Sequence, residues 1–202
     1  TWEGVGLCRS GKTWACGTTK WASLGNLSFS NKGGMDGFVA KFDATGGASS
    51  MSYLGGTGDD SCRGLAIDSQ DKIYITGGTT PTNASLTSGS KTGTDTDIYV
   101  ARLTASGQKD WATSFGGTDN DQGNAIAVDA AGRAYVTGAT TCVMSGSVCS
   151  SVFPKLGGTD FNETGIFVSR SAFVARIAAN GSTQEFASVV PGDGVTGIGY
   201  GI

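Results

Sequence analysis

Apolar and polar residues alternate along short stretches of this chain, and the stretches recur. In FVAKF, Phe38, Ala40 and Phe42 fall on one side of an extended strand, as do Tyr99, Ala101 and Leu103 in YVARL, because successive strand side chains point to opposite faces. A Gly-bearing turn follows each such stretch (DATGG, TASGQ, AANGS), then a second apolar stretch ending MSYL, ATSF or ASVV. A Gly-Gly pair and an Asp-rich loop lead to a third, GLAID or AIAVD, and a tight turn, SQDK or AAGR, to a fourth, IYITG or AYVTG. Each unit predicts four short strands.

The unit is a true repeat. The segment from Asp36 aligns with that from Asp97 without a gap: Phe38 on Tyr99, Gly55-Gly56 on Gly116-Gly117, Asp68 on Asp129 and Gly77 on Gly138, 61 residues apart. A third copy sets Phe173 in the place of Tyr99 after 74 residues, and an opening half copy matches CRSGKTWACG to DSQDKIYITG at 60. Four hairpin-linked strands per unit predict an all-β fold, a β-propeller of four-stranded antiparallel blades with about three periods in this chain. The expected segments are a half blade with its link in 1–35, blade repeats in 36–96 and 97–171, and a partial repeat in 172–202. The links Gly78–Thr96 and Ala139–Ser171, rich in Ser, Thr and Gly, are expected as surface loops.

With FVAKF, SYLGGTGDD, LAIDSQDKIYITGGTT, AIAVDAAGRAYVTGATT and Val152-Phe153-Pro154 in hand, the chain resembles the bacterial β-propeller repeat called the SBBP repeat. The resemblance covers nearly the whole chain. It departs at the ends, where VVPGDG replaces the expected Gly-Gly and Cys8 replaces an Asp. It implies a secreted or cell-surface bacterial protein with several such repeats, and it implies no catalytic activity.

Composition removes other classes. The chain has 34 Gly among 202 residues, far above the usual ~7%, yet no Gly-X-Y period. Turn positions and close packing where blades converge give these glycines a structural reason. A net charge of -3 offers no basic footprint for nucleic acid or an anionic membrane. The absence of His excludes His-based triads and His metal ligands. No stretch reaches the ~18 apolar residues of a membrane span. The start, TWEGVGLCRSGK, lacks Met and a signal pattern, so either a signal has been removed or the sequence is a fragment.

Candidate chemistry is sparse. Asp59, Asp60, Asp119, Asn120 and Asp121 lie in the Asp-rich loops and could supply oxygens to calcium. Short acids recurring at one point of a repeat suit turn capping better. Asp68 and Asp129 are expected to accept turn N–H bonds. Glu3, Glu163 and Glu185 share no motif that would pair carboxylates for glycoside cleavage, and no catalytic residue is nominated. Trp14 stands in the position of Tyr74 and Tyr135 and is expected between blades, whereas Trp21 is the best exposed contact for a glycan or protein. Lys41, Arg102 and Arg176 recur opposite the apolar face, as solvated or carboxylate-paired positions. Cys142 and Cys149 bracket a loop short enough for a disulfide in an oxidising compartment, while pairing among Cys8, Cys16 and Cys62 is left open. Sequons stand at Asn26, Asn83, Asn162 and Asn180.

The expected function is therefore a non-enzymatic, extracellular scaffold or protein/glycan interaction surface, part of a larger surface or filament assembly. No cofactor is expected; calcium at the Asp-rich loops is the one candidate, and turn capping is the favoured reading there. Expected partners are other protein chains, or the remainder of the same protein, completing the propeller. The alternative is a carbohydrate-active propeller enzyme (hydrolase or lyase) or a carbohydrate-binding module.

Overall fold

The computed structural model describes residues 2–7, 11–21, 23–24, 27–28, 33–80, 95–117, 119–141, 144–145, 148–149, 170–190 and 198–202. Strands β1 (Trp2–Leu7) and β2 (Thr13–Thr19) are followed by a short pair, β3 (Ser23–Leu24) and β4 (Leu27–Ser28), then by β5 (Asp36–Phe42) and β6 (Ala48–Leu54). Next come β7 (Gly64–Ile67), β8 (Ile73–Thr79), β9 (Asp97–Leu103) and β10 (Lys109–Phe115). The chain continues through β11 (Asp121–Val128), β12 (Ala134–Thr141), the short β13 (Met144–Ser145) and β14 (Val148–Cys149), and finally β15 (Arg170–Ile177) and β16 (Gln184–Val190).

Three four-stranded sheets result, ordered β1-β2-β5-β6, β7-β8-β9-β10 and β11-β12-β15-β16, with every neighbouring pair antiparallel. The grouping corrects the expected one. Each sheet joins the last two strands of one sequence period to the first two of the next. The boundaries at 36, 97 and 172 therefore fall inside sheets, and the opening half copy completes a sheet with residues 36–54. Link length is the reason the sequence misled. The long links after β8 and β12 connect strands that pair directly, Gly77 with Tyr99 and Gly138 with Phe173. The compact Gly-Gly segment after β6 instead carries the chain into the next sheet.

The first strands β1, β7 and β11 stand side by side across the three sheets. Strand alternation then packs the sheets face to face. Tyr99, Ala101 and Leu103 of β9 meet Trp14, Cys16 and Val39 of the first sheet, while their neighbours Ile98 and Val100 meet Val136, Phe173 and Ala175 of the third. The second sheet is thus buried on both faces, and every residue of β8 is buried. Phe38, Ala40 and Met51, with Phe42 against them, form a further cluster on the other face of the first sheet.

Candidate functional site

Polar side chains gather at the two ends of the sheets. At one end the Asp-rich loops close the crossing between sheets. Asp60 is buried; its Oδ2 accepts from Gly56 N at 2.8 Å and its Oδ1 from Thr79 Oγ1 at 2.7 Å and Thr80 N at 3.2 Å. Asp121 repeats this one period later, accepting from Gly117 N and from Thr141 N. Asp59 accepts from Met35 N at 2.7 Å, and its counterpart Asn120 from Thr96 N at 2.9 Å. These oxygens face backbone donors, as turn capping requires. Asp119 is half-buried. Among the described residues no three His, Cys, Asp or Glu side chains converge on one point.

A second buried carboxylate, Asp97, stands beside Asp121, and Asp36 holds the matching position one period earlier. A Cβ on Gly116 would lie 2.1 Å from Asp97 Oδ1 and 2.7 Å from Asp121 Oδ2, and a Cβ on Gly55 only 1.8 Å from Asp36 Oδ1. The first Gly of each Gly-Gly pair is therefore needed to seat an acid. Burial, offset in part by hydrogen bonds from Thr140, Gly117 and Thr141 and reinforced by the charge of Asp97, pushes Asp121 up to about 6. A hollow of about 280 Å³ opens beside it, lined by Thr96, Asn120, Asp121, Gln122, Thr141 and Arg170.

At the opposite end a cation lies over an aromatic ring in each sheet. Lys41 sits 5.3 Å from the Trp14 ring. Arg102 is 6.0 Å from Tyr74 and 5.4 Å from Trp111, and Arg176 is 6.0 Å from Tyr135 and 5.0 Å from Phe186. Carboxylates pair the two arginines, Asp110 with Arg102 at 2.8 Å and Glu185 with Arg176 at 2.6 Å. Asp68 Oδ1 accepts from Gln70 N and Lys72 N, and Asp129 Oδ1 from Ala131 N and Arg133 N, as expected for tight-turn acids.

This end is also where sheets lock together. Arg102 Nη1 and Trp111 Nε1 both donate to Ala179 O of the third sheet, at 2.7 and 3.2 Å. Tyr74 donates to Gly132 O at 3.2 Å. Trp14 is buried against the turn of the second sheet, where a Cβ on Gly107 would lie 2.9 Å from its ring. The groove lined by Asp68, Lys72, Tyr74, Arg102 and Asp129 measures about 120 Å³. The smaller hollow is well below, and the larger near the lower edge of, the ~300–1,000 Å³ range of small-molecule sites. Arg102→Met should remove the ion pair, the bond to Ala179 and the ring contact together. Urea unfolding should show a loss of about 2 kcal/mol, with Arg102→Lys intermediate.

The remaining candidates divide. Trp21 is 75% exposed, while Trp111 makes an edge contact with Tyr74 at 6.2 Å. The seam role of Trp111 escaped the sequence, because its aligned partner Ser50 carries no such chemistry. The readable signal was the turn glycine that recurs at Gly46, Gly107 and Gly181. Cys16 and Cys62 are buried in one cluster with Tyr99, whose hydroxyl is pushed well up by burial and by these two neighbours. Cys142 lies outside the described residues, and with it the expected bridge to Cys149; so do Asn26, Asn83 and Asn162.

Residues 51–83 and 110–141 match the family described as SBBP: Beta-propeller repeat. The regulatory protein FlaEY of Caulobacter vibrioides is 30% identical over 158 residues, which is 74% of this chain and 14% of that protein. The chain thus spans 14% of the length of this curated relative. Among solved structures, the uncomplexed acylaminoacyl peptidase of Pyrococcus horikoshii is similar at 12% identity and a TM-score of 0.44, over 95% of this chain and 25% of that one.

Proposed function

Since this chain carries SBBP β-propeller repeats at residues 51–83 and 110–141, we propose that it is a non-enzymatic propeller module, three blades of a secreted or cell-surface scaffold that presents an interaction surface. One observation carries this reading: the recurring polar groups are spent on the fold. Asp60 and Asp121 hold the crossings, Asp68 and Asp129 the tight turns, and Arg102 the seam between sheets. Chemistry that repeats with the blade serves the blade, and recognition falls to what does not repeat. Trp21 is such a residue, with its ring in solvent, and exposed aromatic faces suit sugars and protein partners. The printed role of the Caulobacter relative, regulatory, fits a module that binds rather than catalyses.

A glycan array and a reducing-end release assay on the full chain test the proposal. No turnover is expected, and Trp21→Ala should weaken any glycan or protein retention at least tenfold with thermal melting unchanged. Release of reducing ends by the wild type would overturn the non-enzymatic reading in favour of a carbohydrate-active propeller. Retention indifferent to Trp21 would move the contact elsewhere.

A further inference from the structure

The seams between sheets repeat closely, and each sets one position of β2, β8 or β12 against the segment that comes next in the chain. Cys16, Thr76 and Thr137 hold the strand position, each directly opposite a valine of the adjoining strand: Val39, Val100 and Val174. The residue facing Thr76 is Gly123, where a Cβ would lie 2.2 Å from Thr76 Oγ1. Gly199 faces Thr137 in the same way, at 2.0 Å. Glycine is needed at both because a hydroxyl already fills the space. Each hydroxyl is fixed there by donating to a carbonyl, Thr76 to Tyr99 O at 2.8 Å and Thr137 to Phe173 O at 2.6 Å.

The seam between the first and second sheets departs at both positions at once. Cys16 stands 60 residues before Thr76, and Cys62 stands 61 before Gly123. The surroundings put Cys62 in the place of Gly123. Ser61 O lies 1.9 Å from a Cβ on Gly77, as Gln122 O does from one on Gly138. Cys62 N lies 3.1 Å from a Cβ on Gly37, and a Cβ on Gly123 would meet Ile98, the residue aligned with Gly37, at 3.2 Å.

Where the other seams set a hydroxyl against a bare Cα, this one sets two thiol-bearing side chains against each other. A Cβ-to-Oγ1 distance of 2.2 Å brings the two Cα atoms of such a pair within roughly 6 Å, inside the ~4.4–6.8 Å that a disulfide spans. Cys16 and Cys62 are both fully buried in one cluster. After burial itself, both raise the Tyr99 hydroxyl that lies with them.

We propose that Cys16 and Cys62 form a disulfide that staples the first sheet to the second. The oxidant is another disulfide, of the small-molecule or protein kind found in oxidising compartments. One cysteine thiolate attacks it and releases one thiol; the second cysteine attacks the mixed disulfide and releases the other. Two thiol protons leave and two electrons pass to the oxidant. The bond replaces the weak contact of Cys62 Sγ with Gly64 O at 3.9 Å. It forms while the sheets come together, since both side chains are sealed from solvent in the fold. Ser50 stands at this seam where Trp111 stands at the next, so the indole that binds Ala179 O there has no counterpart here. The inference rests on the secreted or cell-surface reading only for the source of the oxidant.

Refolding of the full chain in a glutathione redox buffer, then alkylation, non-reducing digestion and mass spectrometry, tests it with the oxidant supplied. A peptide pair joined through Cys16 and Cys62 is expected. Dithiothreitol should lower the melting temperature by roughly 10 °C, the size expected for opening a loop of this length. Cys16→Thr with Cys62→Gly installs the residues of the second seam. This double variant should fold, melt near the reduced wild type and lose most of its response to reductant. Recovery of Cys16 or Cys62 alkylated, or joined to anything but each other, would overturn the proposal. So would a response to reductant as large in the double variant as in the wild type. These outcomes are independent of retention through Trp21 and of reducing-end release, which test the module reading.

Discussion

Replacing Gly138 by Ala is expected to destabilise the protein by about 3 kcal/mol, a large effect for one methyl group. Gly138 lies in β12 with ordinary backbone angles, so conformational freedom is not the cause. A Cβ there would sit 1.9 Å from Gln122 O and 2.9 Å from the Phe173 ring. Gly77 repeats the arrangement in β8, with Ser61 O at 1.9 Å and Tyr99 at 3.0 Å. The nearest obstacle in each case is a main-chain carbonyl, which no rotamer change can withdraw. The strand must shift, and the pairing with β15 or β9 shifts with it. Calorimetry should show the melting temperature lower by on the order of 10 °C for Gly138→Ala or Gly77→Ala. Gly201→Ala is the control: nothing lies within 4 Å of its Cβ, and its effect should stay within ~0.5 kcal/mol. Equal melting of all three would refute the close-approach account.

Stability should also fall as pH rises from about 4 to about 6, against the usual trend for acidic proteins. Asp121 is pushed up to about 6 from an ordinary 3.8. The folded state therefore holds its proton more tightly than the unfolded chain does. Its contribution is fully present below the unfolded value, is lost as pH climbs through the folded one, and is constant above. A shift of this size corresponds to about 3 kcal/mol across the window. Asp43 and Asp129 are shifted the other way, chiefly by hydrogen bonds from Thr45 and Arg133 respectively. Their stabilisation disappears only as pH falls below the ordinary carboxylate value, so they leave the window between 4 and 6 untouched. Urea titrations at pH 4.5 and 7.5 should find the chain more stable at the lower pH, and Asp121→Asn should remove the difference. A pH difference that persists unchanged in Asp121→Asn would overturn the assignment to Asp121.

Much of this protein is local, and the local part was legible. The alternation in FVAKF and YVARL placed Phe38, Ala40 and Phe42 together, and Tyr99, Ala101 and Leu103 together, as the packing has them. Asp68 and Asp129 stand before turns whose N–H groups they accept. Trp14, read as an interblade residue from its alignment with Tyr74, is buried at a seam. Each of these follows from strand period or turn chemistry, which act within a few residues.

What escaped was non-local. Nothing near Trp111 announces that its Nε1 will meet Ala179 O, since the partner is supplied by a different sheet. Likewise the close packing expected of the glycines has no partner at Gly138 until Gln122 O is brought against it.

By itself the sequence determined the repeat, the four strands per period, the face each apolar residue takes and the origin of the Gly excess. Only the tertiary structure decided where one sheet ends and the next begins. A periodic sequence has no preferred starting phase, and hydrogen bonding between strands on either side of a long link leaves no mark on link length. The pairing of Gly77 with Tyr99 across that link set the phase. It turned an apparent half copy, two whole repeats and a remainder into three complete sheets.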